Sequence, residues 1–337
     1  MDSRNGRDIL NKKRLLKTAR IVLPTILVII ISFFLLREIE LSKIPETISR
    51  VSVKAITIGF ICYCLLVLAK TLRFRTILRL DSRVHHVYPI LALHTFWGNF
   101  LPMRTGDISY VYLMQRRQNV EVTQGIASLM IASLIDLVLL VGLMAASVMP
   151  LLDKLSSHFS RTILFLIPLL IGIGLMSVMV FACTAPELCK SIVMKCARPL
   201  LRWEKRPLTW IVNNIISIVN HLTVFRLNTH LLKVWVYSLL CLIIRFGFQC
   251  YLVTEMGVDI PLIEVLFALA FTNGFNLLPI QSIANFGTTE FPFAGLLKLF
   301  GTSFDIAVAT GISLHLLILL YCLPLGIFGF FKKPKEE

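Results

Sequence analysis

Long apolar runs alternate with short basic or mixed-charge segments along nearly the whole chain. Runs of about 20 apolar residues have the length that a helix needs to cross a bilayer. We therefore expect spans over residues 21–36, 53–69, 124–149, 162–182, 231–253 and 306–330. Apolar residues at helical spacing within 208–222 lie beside a basic segment, which predicts a helix in the membrane interface over 187–226. Insertion of 208–225 as a further span is the alternative.

Two apolar segments are interrupted by polar residues at corresponding places. The first break is Asn-Phe-Leu-Pro-Met-Arg-Thr-Gly-Asp at 99–107, and Asn276-Leu-Leu-Pro279 repeats its first part at an offset of 177 (276 − 99). The apolar helix before the first break is roughly 20 Å long, whereas the hydrocarbon core of a bilayer is about 30 Å thick. Because non-helical backbone at membrane depth has to be buried in protein or line a polar cavity, we predict a re-entrant hairpin at each break.

The composition is typical of a polytopic membrane protein: 56% of the residues are hydrophobic, only 16% are charged, and the mean hydropathy is +0.80. The net charge of +15 comes from Lys and Arg residues that cluster in short loops between the apolar runs. Such loops are typical of the cytoplasmic side, next to anionic lipid headgroups, and they argue against a nucleic-acid-binding protein. We expect a multi-pass protein of the cell (inner) membrane with both termini in the cytoplasm.

Counting the crossings divides the chain into two halves of opposite orientation. The first repeat, 53–149, begins with an inward span, and the second, 231–330, begins with an outward span. The expected fold class is all-α, with about six full spans plus two re-entrant helical hairpins in inverted-topology repeats. We expect one transmembrane domain, 21–330, between a cytoplasmic basic tail, 1–20, and a cytoplasmic tail, 331–337. Broken helices of inverted repeats that meet at the midplane are typical of transporters.

The polar side chains of the two breaks are candidates for substrate binding. Arg104 and Gly106 precede the second arm of the first hairpin, where an arginine beside a helix N-terminus makes an anion site of phosphate size. The alternative is that Arg104 only pairs with Asp107 or Glu290. Both acids lie in the first turn of a helix, which a carboxylate stabilises, so their role is either binding or structural. The other candidates are Asn99, Asn276, Thr288 and, within a span, Arg245.

Two charged residues lie inside predicted spans. Asp136 and Arg245 are at similar depth, roughly 18 and 21 Å from the cytoplasmic ends of their helices. A charge at that depth needs a partner or a polar path, so we predict a structural ion pair between them. The alternative is that Arg245 faces the cavity and contacts the substrate phosphate or Glu290. Because the sequence contains no Cys-x-x-Cys pair, metal-ligand cluster or nucleophile–base pairing, we expect neither an enzyme nor a metal or cofactor.

The motifs at the two breaks resemble those of a known family, the transmembrane flippase region of bacterial lysyl-phosphatidylglycerol synthases (the multiple peptide resistance factors) and their stand-alone relatives. The first family motif, Asn-x-Leu-Pro-x-Arg-x-Gly-acid, is matched over 99–107, and Pro279, Gly287 and Glu290 match the second. Two positions depart from the pattern: Asn285 replaces a usual glycine, and Ser133 stands where relatives often carry an arginine. The resemblance covers residues 15–330.

The resemblance implies translocation of a phospholipid or a lipid-linked headgroup between leaflets. Family members that synthesise lysyl lipid do so with a separate C-terminal domain, and because this chain ends at Glu337, aminoacyl transfer is not expected. The alternative is a non-transporting membrane scaffold for a lipid-modifying glycosyl- or aminoacyl-transferase. The expected partners are membrane lipid, anionic headgroups at the basic loops, and either a second copy of the chain or a lipid-modifying enzyme.

Overall fold

The computed structural model describes residues 42–101, 106–155, 229–276 and 283–332, together with isolated positions between 160 and 195. These ranges are all-helical and contain no strand. The helices are α1 (Lys43–Arg50), α2 (Val53–Leu78), α3 (Val84–Phe100), α4 (Gly106–Gln118), α5 (Val122–Val148), α6 (Thr229–Glu255), α7 (Leu262–Phe275), α8 (Glu290–Leu299) and α9 (Phe304–Phe331). After α5 the chain continues through two short helical turns, Met149–Leu151 and Leu152–Leu155.

Four of these helices, α2, α5, α6 and α9, are long and apolar enough to cross a membrane. They correspond to the spans predicted at 53–69, 124–149, 231–253 and 306–330, so the expectation of an all-α protein with several membrane-length helices is confirmed. Four other predictions lie outside the described residues, apart from isolated positions: the tail at 1–20, the span at 21–36, the span at 162–182 and the interfacial helix at 187–226.

The predicted span 53–69 was too short. It ended at Ala69 and left the basic residues that follow in a loop, but α2 continues to Leu78. The reason is that the buried face of the helix continues through Phe74 and Ile77, and this helical spacing of apolar residues favours helix over loop. Arg73 is therefore buried inside α2 instead of lying in a solvent-exposed loop.

Helices α2–α5 and α6–α9 form two sets of four in the same order. The helix α6 ends 177 residues after α2 (255 − 78), which is also the offset between the two Asn-x-Leu-Pro motifs. The first helices of the two sets pack against each other. Their contacts join residues in opposite chain order: Ser52 with Glu255 (3.0 Å), the rings of Tyr63 and Phe248 (5.9 Å), and Arg73 with Ser238 (3.3 Å). The helices α2 and α6 are therefore antiparallel.

Helices α3 and α4 form a hairpin whose open end is held by the last turns of α9. The ring of Tyr88, near the start of α3, lies 6.0 Å from the ring of Phe328. Arg117, at the end of α4, donates a hydrogen bond to Gly329 O at 3.3 Å. Glycine allows this close packing, because a Cβ on Gly329 would lie 2.7 Å from Pro89 O. The start of α3 and the end of α4 thus lie at the same end of the bundle.

Helices α7 and α8 form a second hairpin, whose open end is held by Lys154 in the helical turn after α5. The Lys154 ammonium donates to Glu264 Oε1 at 2.8 Å, in the first turn of α7, and to Phe300 O at 3.0 Å, directly after α8. One side chain therefore ties both arms of the hairpin to α5. Because α5 starts beside the end of α4 and runs along the bundle to Lys154, the two hairpins open at opposite ends.

The arms of the first hairpin come into backbone contact at Gly106. A Cβ on Gly106 would lie 2.5 Å from Gly98 N and 2.8 Å from Trp97 C, and these are backbone atoms that cannot rotate away. Any larger residue at this position has to push α3 and α4 apart. Glycine at the start of α4 is thus a packing requirement of the hairpin.

We therefore expect Gly106→Ala to destabilise the protein by about 1–3 kcal/mol, the usual cost of overpacking. The measurement is the free energy of unfolding of the purified variants in one detergent. Gly142→Ala is the matched control, because a Cβ on Gly142 in α5 would meet no atom within 4 Å. Alanine there should stabilise the helix by about 0.5–1 kcal/mol. Equal stability of the two variants would contradict the close packing at Gly106.

Candidate functional site

The two hairpin breaks meet at a cavity of about 330 Å³ inside the bundle. Asn99 and Asp107 face it from the two arms of the first hairpin, and Asn276, Asn285 and Thr289 face it from the second break. The remaining wall comes from α2, α5, α6 and α9. The described residues on either side of each break therefore border a polar cavity, which agrees with the requirement for breaks at membrane depth.

The predicted site residues fall into three groups. Those that line the cavity are Asn99, Asp107, Asp136, Arg245 and Asn276. Those that are adjacent in sequence to lining residues without lining the cavity themselves are Gly106, Thr288 and Glu290. Arg104 lies outside the described residues. A role of these residues in substrate binding stays a prediction.

Asn99 and Asn276, which occupy equivalent positions in the two motifs, form hydrogen bonds at the C-terminal end of the first arm of each hairpin. Asn99 Nδ2 donates to Thr95 O at 2.7 Å, within the last turn of α3, and lies 3.4 Å from Tyr63 OH on α2. Asn276 ends α7, and its Nδ2 donates to Thr289 Oγ1 at 3.2 Å, directly before α8. In both hairpins an amide thus links the point where the helix stops to a neighbouring segment, which explains why asparagine occurs at both positions.

Asp136 pairs with Arg73, and the predicted pair with Arg245 is wrong. Arg73 Nη1 lies 2.5 Å from Asp136 Oδ1 and 3.3 Å from Ser238 Oγ, and Arg73 is only 3% exposed. Among the described residues, no ion pair within 4.0 Å joins Asp136 to Arg245. The physical reason is the extension of α2, which carries Arg73 to the depth of Asp136. The cation next to Asp136 is therefore Arg73 on α2, and not a residue at position 133 on the same helix as Asp136, where this chain has serine.

Two other cations face the cavity. Lys70 on α2 and Arg245 on α6 both line it, and neither forms a hydrogen bond or ion pair with any residue that the structure describes. An unpaired charge in the centre of a membrane helix costs about 2.5–3.5 kcal/mol on insertion scales. The arrangement therefore favours a bound anion, and it agrees with the alternative in which Arg245 faces the cavity.

Each hairpin places a carboxylate in the first turn of its second arm, next to a histidine. Glu290 is 5% exposed; its Oε1 lies 2.5 Å from His315 Nδ1, and its Oε2 accepts a hydrogen bond from Gly287 N at 2.7 Å. In the first hairpin, Asp107 Oδ1 lies 3.7 Å from His94 Nε2. Both histidines line the cavity. Neither histidine was predicted from the sequence as a site residue. The signal that could have identified them is a histidine inside an apolar helix.

The chemistry that this cavity offers is charge and hydrogen bonding. Its polar wall includes two cations that form no described hydrogen bond or ion pair, acids that are each next to a base, and side-chain amides. Within the described ranges, no group of three His, Cys, Asp or Glu side chains is arranged to hold a metal ion. The described groups can bind and orient an anionic molecule with polar substituents.

Comparison with known proteins agrees with the motifs. A search of curated proteins finds no match. The family model described as lysylphosphatidylglycerol synthase TM region matches residues 21–326, which is most of the chain and includes both hairpins and all four membrane-length helices except for the last residues of α9. The resemblance inferred from the two motifs is thereby confirmed, and the protein belongs to the lysylphosphatidylglycerol synthase transmembrane-region family.

Proposed function

We propose that the protein is a flippase-like transporter that moves the headgroup of a phospholipid or lipid-linked molecule between leaflets, while the acyl tails stay in the bilayer. The observation that carries this proposal is the cavity between the two helix breaks, with Lys70 and Arg245 facing it. A phosphate is the part common to membrane lipids that would neutralise these cations. The cavity has a volume of about 330 Å³ and is lined by charged and amide side chains, so it can take a small polar group, and the apolar helices around it suit the tails.

The arrangement of the two helix sets supports alternating access. The antiparallel packing of α2 on α6, and the opening of the two hairpins at opposite ends, are what inverted-topology repeats with re-entrant hairpins require. The bundle end that carries Arg79, Arg117 and Lys332 is more basic than the end with Glu255, Glu264 and Asp305. By the positive-inside rule, we assign the basic end to the cytoplasmic side of the cell membrane.

The proposed roles follow the positions of the side chains. Arg104, two residues before Gly106 in the sequence, holds the phosphate together with Arg245. The headgroup substituents are bound by the cavity-lining residues Asn99, Asn276 and Asp107. Thr288 and Glu290, which lie beside the cavity without lining it, support the second break. Transport in this scheme is carried out by one domain, 21–330, with no catalytic step and no metal or cofactor.

The test is lipid movement in vesicles that contain only the purified protein. A phospholipid with a dithionite-sensitive fluorescent label on its acyl chain is placed in both leaflets, and dithionite is added outside. We expect the protein to expose the inner-leaflet label on the timescale of the assay, whereas protein-free vesicles retain it. Arg245→Glu, which reverses a cavity charge, should abolish the effect. If vesicles with the wild-type protein retain the label, the transport proposal fails and the scaffold alternative gains support.

A further inference from the structure

We propose that Glu290 and His315 form a proton-binding site, and that the protein moves a proton across the membrane in the same direction as the lipid phosphate. This inference rests on the proposed function and names the ion that is coupled to it. Its basis is the burial of the pair, the hydrogen bonds that the pair makes, and the cavity that His315 shares with the cations of the phosphate site.

The two side chains of the pair are almost completely buried. Glu290 is 5% exposed and His315 is 4% exposed, and the ring of Phe286 lies 4.9 Å from the imidazole ring. Replacing a buried ionisable pair with apolar residues is often neutral or stabilising, so stability alone does not account for these two residues. Ionisable side chains within membrane helices commonly belong to proton or substrate paths. The burial therefore indicates a role in transport.

The contacts of the pair define a path for a proton. His315 Nδ1 lies 2.5 Å from Glu290 Oε1, whereas Glu290 Oε2 accepts the N–H of Gly287 at 2.7 Å. The other ring nitrogen, His315 Nε2, forms no hydrogen bond with any residue that the structure describes. His315 lines the cavity and Glu290 does not. A proton from the cavity therefore reaches the carboxylate through the imidazole ring.

Binding of the proton changes the charge of the pair from negative to neutral. Without it, a neutral imidazole donates its Nδ1–H to the Glu290 carboxylate, and the pair carries one negative charge. A hydronium ion in the cavity then transfers a proton to His315 Nε2 and becomes water, which forms one N–H bond and breaks one O–H bond. The reverse step releases the proton. Imidazole suits this exchange because it changes its charge near physiological pH.

The acid and the histidine of the first hairpin lack this arrangement. His94 Nε2 lies 3.7 Å from Asp107 Oδ1, which is longer than a hydrogen bond. The two side chains are also more exposed, at 16% and 34%. A proton cannot pass directly between them in this state, so the proton site lies in the second hairpin.

Several other titratable groups surround His315. Those that line the same cavity are Tyr63, Lys70, Arg73, His94, Asp107, Asp136, Cys241 and Arg245. The helices α1 and α7 also pack against α9 and α8. Lys43 on α1 pairs with Asp305 at 3.3 Å. Glu264 on α7 pairs with Lys154 at 2.8 Å. None of these last four residues lines the cavity, so the groups that act on His315 are those of the cavity wall.

The phosphate and the proton favour the binding of each other. A phosphate on Lys70 and Arg245 brings a negative charge into the cavity that His315 also lines. A like charge nearby favours the neutral, protonated form of the Glu290–His315 pair. Coupling between two sites is reciprocal, so the bound proton favours the phosphate by the same factor. The two therefore cross together, and their charges offset each other in the low-dielectric interior.

The test measures lipid movement in both directions under a pH gradient. Vesicles of phosphatidylethanolamine and phosphatidylglycerol contain the purified protein and a trace of acyl-labelled phosphatidylglycerol in the inner or the outer leaflet. The lumen is made one pH unit more acidic than the outside, and potassium with valinomycin removes the membrane potential. We expect outward movement to become about three- to tenfold faster than without the gradient, because one pH unit is tenfold in proton activity. Inward movement should become slower, and a protonophore should abolish both effects.

The variants Glu290→Gln and His315→Gln should lose this dependence on direction, whatever rate of movement they retain. The matched control is His85→Gln, which removes a histidine from an exposed position outside the cavity and should keep the response. Wild-type rates that the gradient leaves unchanged, or changes alike in both directions, would overturn the coupling and leave the transport function intact. An absence of movement at either lumen pH would contradict transport itself. A directional response in both variants would overturn the assignment to this pair.

A second measurement does not depend on lipid movement. Delipidated protein in weakly buffered detergent is mixed with short-chain phosphatidylglycerol, and an indicator dye reports the protons that the protein takes up. We expect the wild-type protein and His85→Gln to take up as much as about one proton on binding the lipid. Glu290→Gln and His315→Gln should take up none. Lipid binding without proton uptake by the wild type, or equal uptake by the two pair variants, would overturn the proton site.

Discussion

Replacing Asp136 with asparagine should destabilise the protein by about 3–5 kcal/mol, the range measured when one partner of a buried ion pair is removed. The reason is that Arg73 is only 3% exposed, and the asparagine that replaces its partner can accept a hydrogen bond but carries no negative charge. The desolvation of the guanidinium is then no longer offset by an opposite charge. The free energy of unfolding of the purified variant in detergent measures this loss.

The reciprocal variant should cost less. The Asp136 side chain keeps 39% of its exposure and lines the cavity, whereas that of Arg73 keeps 4%, so Arg73→Gln leaves a charge that is better solvated. The double variant Arg73→Gln/Asp136→Asn contains no unpaired charge and should recover part of the loss, with an interaction energy of about 0.5–3 kcal/mol. A deficit in the double variant equal to the sum of the single losses would contradict a direct pair.

The control for the substitution itself is Asp305→Asn. Asp305 pairs with Lys43 at 3.3 Å, but both side chains are about one-third exposed (37% and 32%). Ion pairs of this kind contribute about 0–1 kcal/mol, so this variant should unfold nearly as the wild type does. Because the two carboxylates are about equally exposed (39% and 37%), the contrast between Asp136→Asn and Asp305→Asn isolates the effect of burying the cation, which is 4% exposed for Arg73 and 32% for Lys43.

The breaks in the helices could be predicted from the sequence because their signal is local. Proline and asparagine stop a helix by removing a backbone donor or by competing for backbone hydrogen bonds, and both act within a few residues. The repetition of Asn-x-Leu-Pro at an offset of 177 then identified the two breaks as equivalent (276 − 99). The structure brings Asn99 and Asn276 to one cavity, which is the arrangement that the repeat indicated.

The partner of Asp136 could not be predicted because its signal is tertiary. A run of basic residues after an apolar segment normally marks a cytoplasmic loop, and this rule assigned Lys70 and Arg73 to solvent. The competing signal was the continued helical spacing of Phe74 and Ile77, which keeps the chain in a helix long enough to carry both cations inward. Several charged residues lie at a similar depth in the bundle. Helix packing decides which of them form an ion pair, and depth alone does not.

Glu290→Gln is expected to slow transport strongly. Both carboxylate oxygens of Glu290 are used: one contacts His315 Nδ1 at 2.5 Å and the other accepts from Gly287 N at 2.7 Å. Glutamine can accept the Gly287 N–H with its oxygen, but it carries no negative charge, and its NH2 group can bond His315 only where Nδ1 of that ring is unprotonated. The substitution therefore replaces hydrogen bonds to a charged group, which contribute about 1.5–3 kcal/mol each, with weaker neutral ones.

Glu290 acts as a positioning residue in this scheme, because His315 lines the cavity and Glu290 does not. If the loss falls on the transport-competent state, lipid movement in vesicles should slow by about 10–150-fold, the factor that 1.5–3 kcal/mol represents. Glu290→Asp keeps the negative charge but has a shorter side chain, so its transport rate should lie between those of the wild type and Glu290→Gln.

Asp107→Asn is the comparison within the same protein. The contact of Asp107 with His94 is 3.7 Å long and the Asp107 side chain is 34% exposed, so Asp107→Asn should lose less stability than Glu290→Gln. Wild-type rates for Glu290→Gln would show that the Glu290–His315 contact has no part in transport, and greater destabilisation by Asp107→Asn would contradict the ranking by burial.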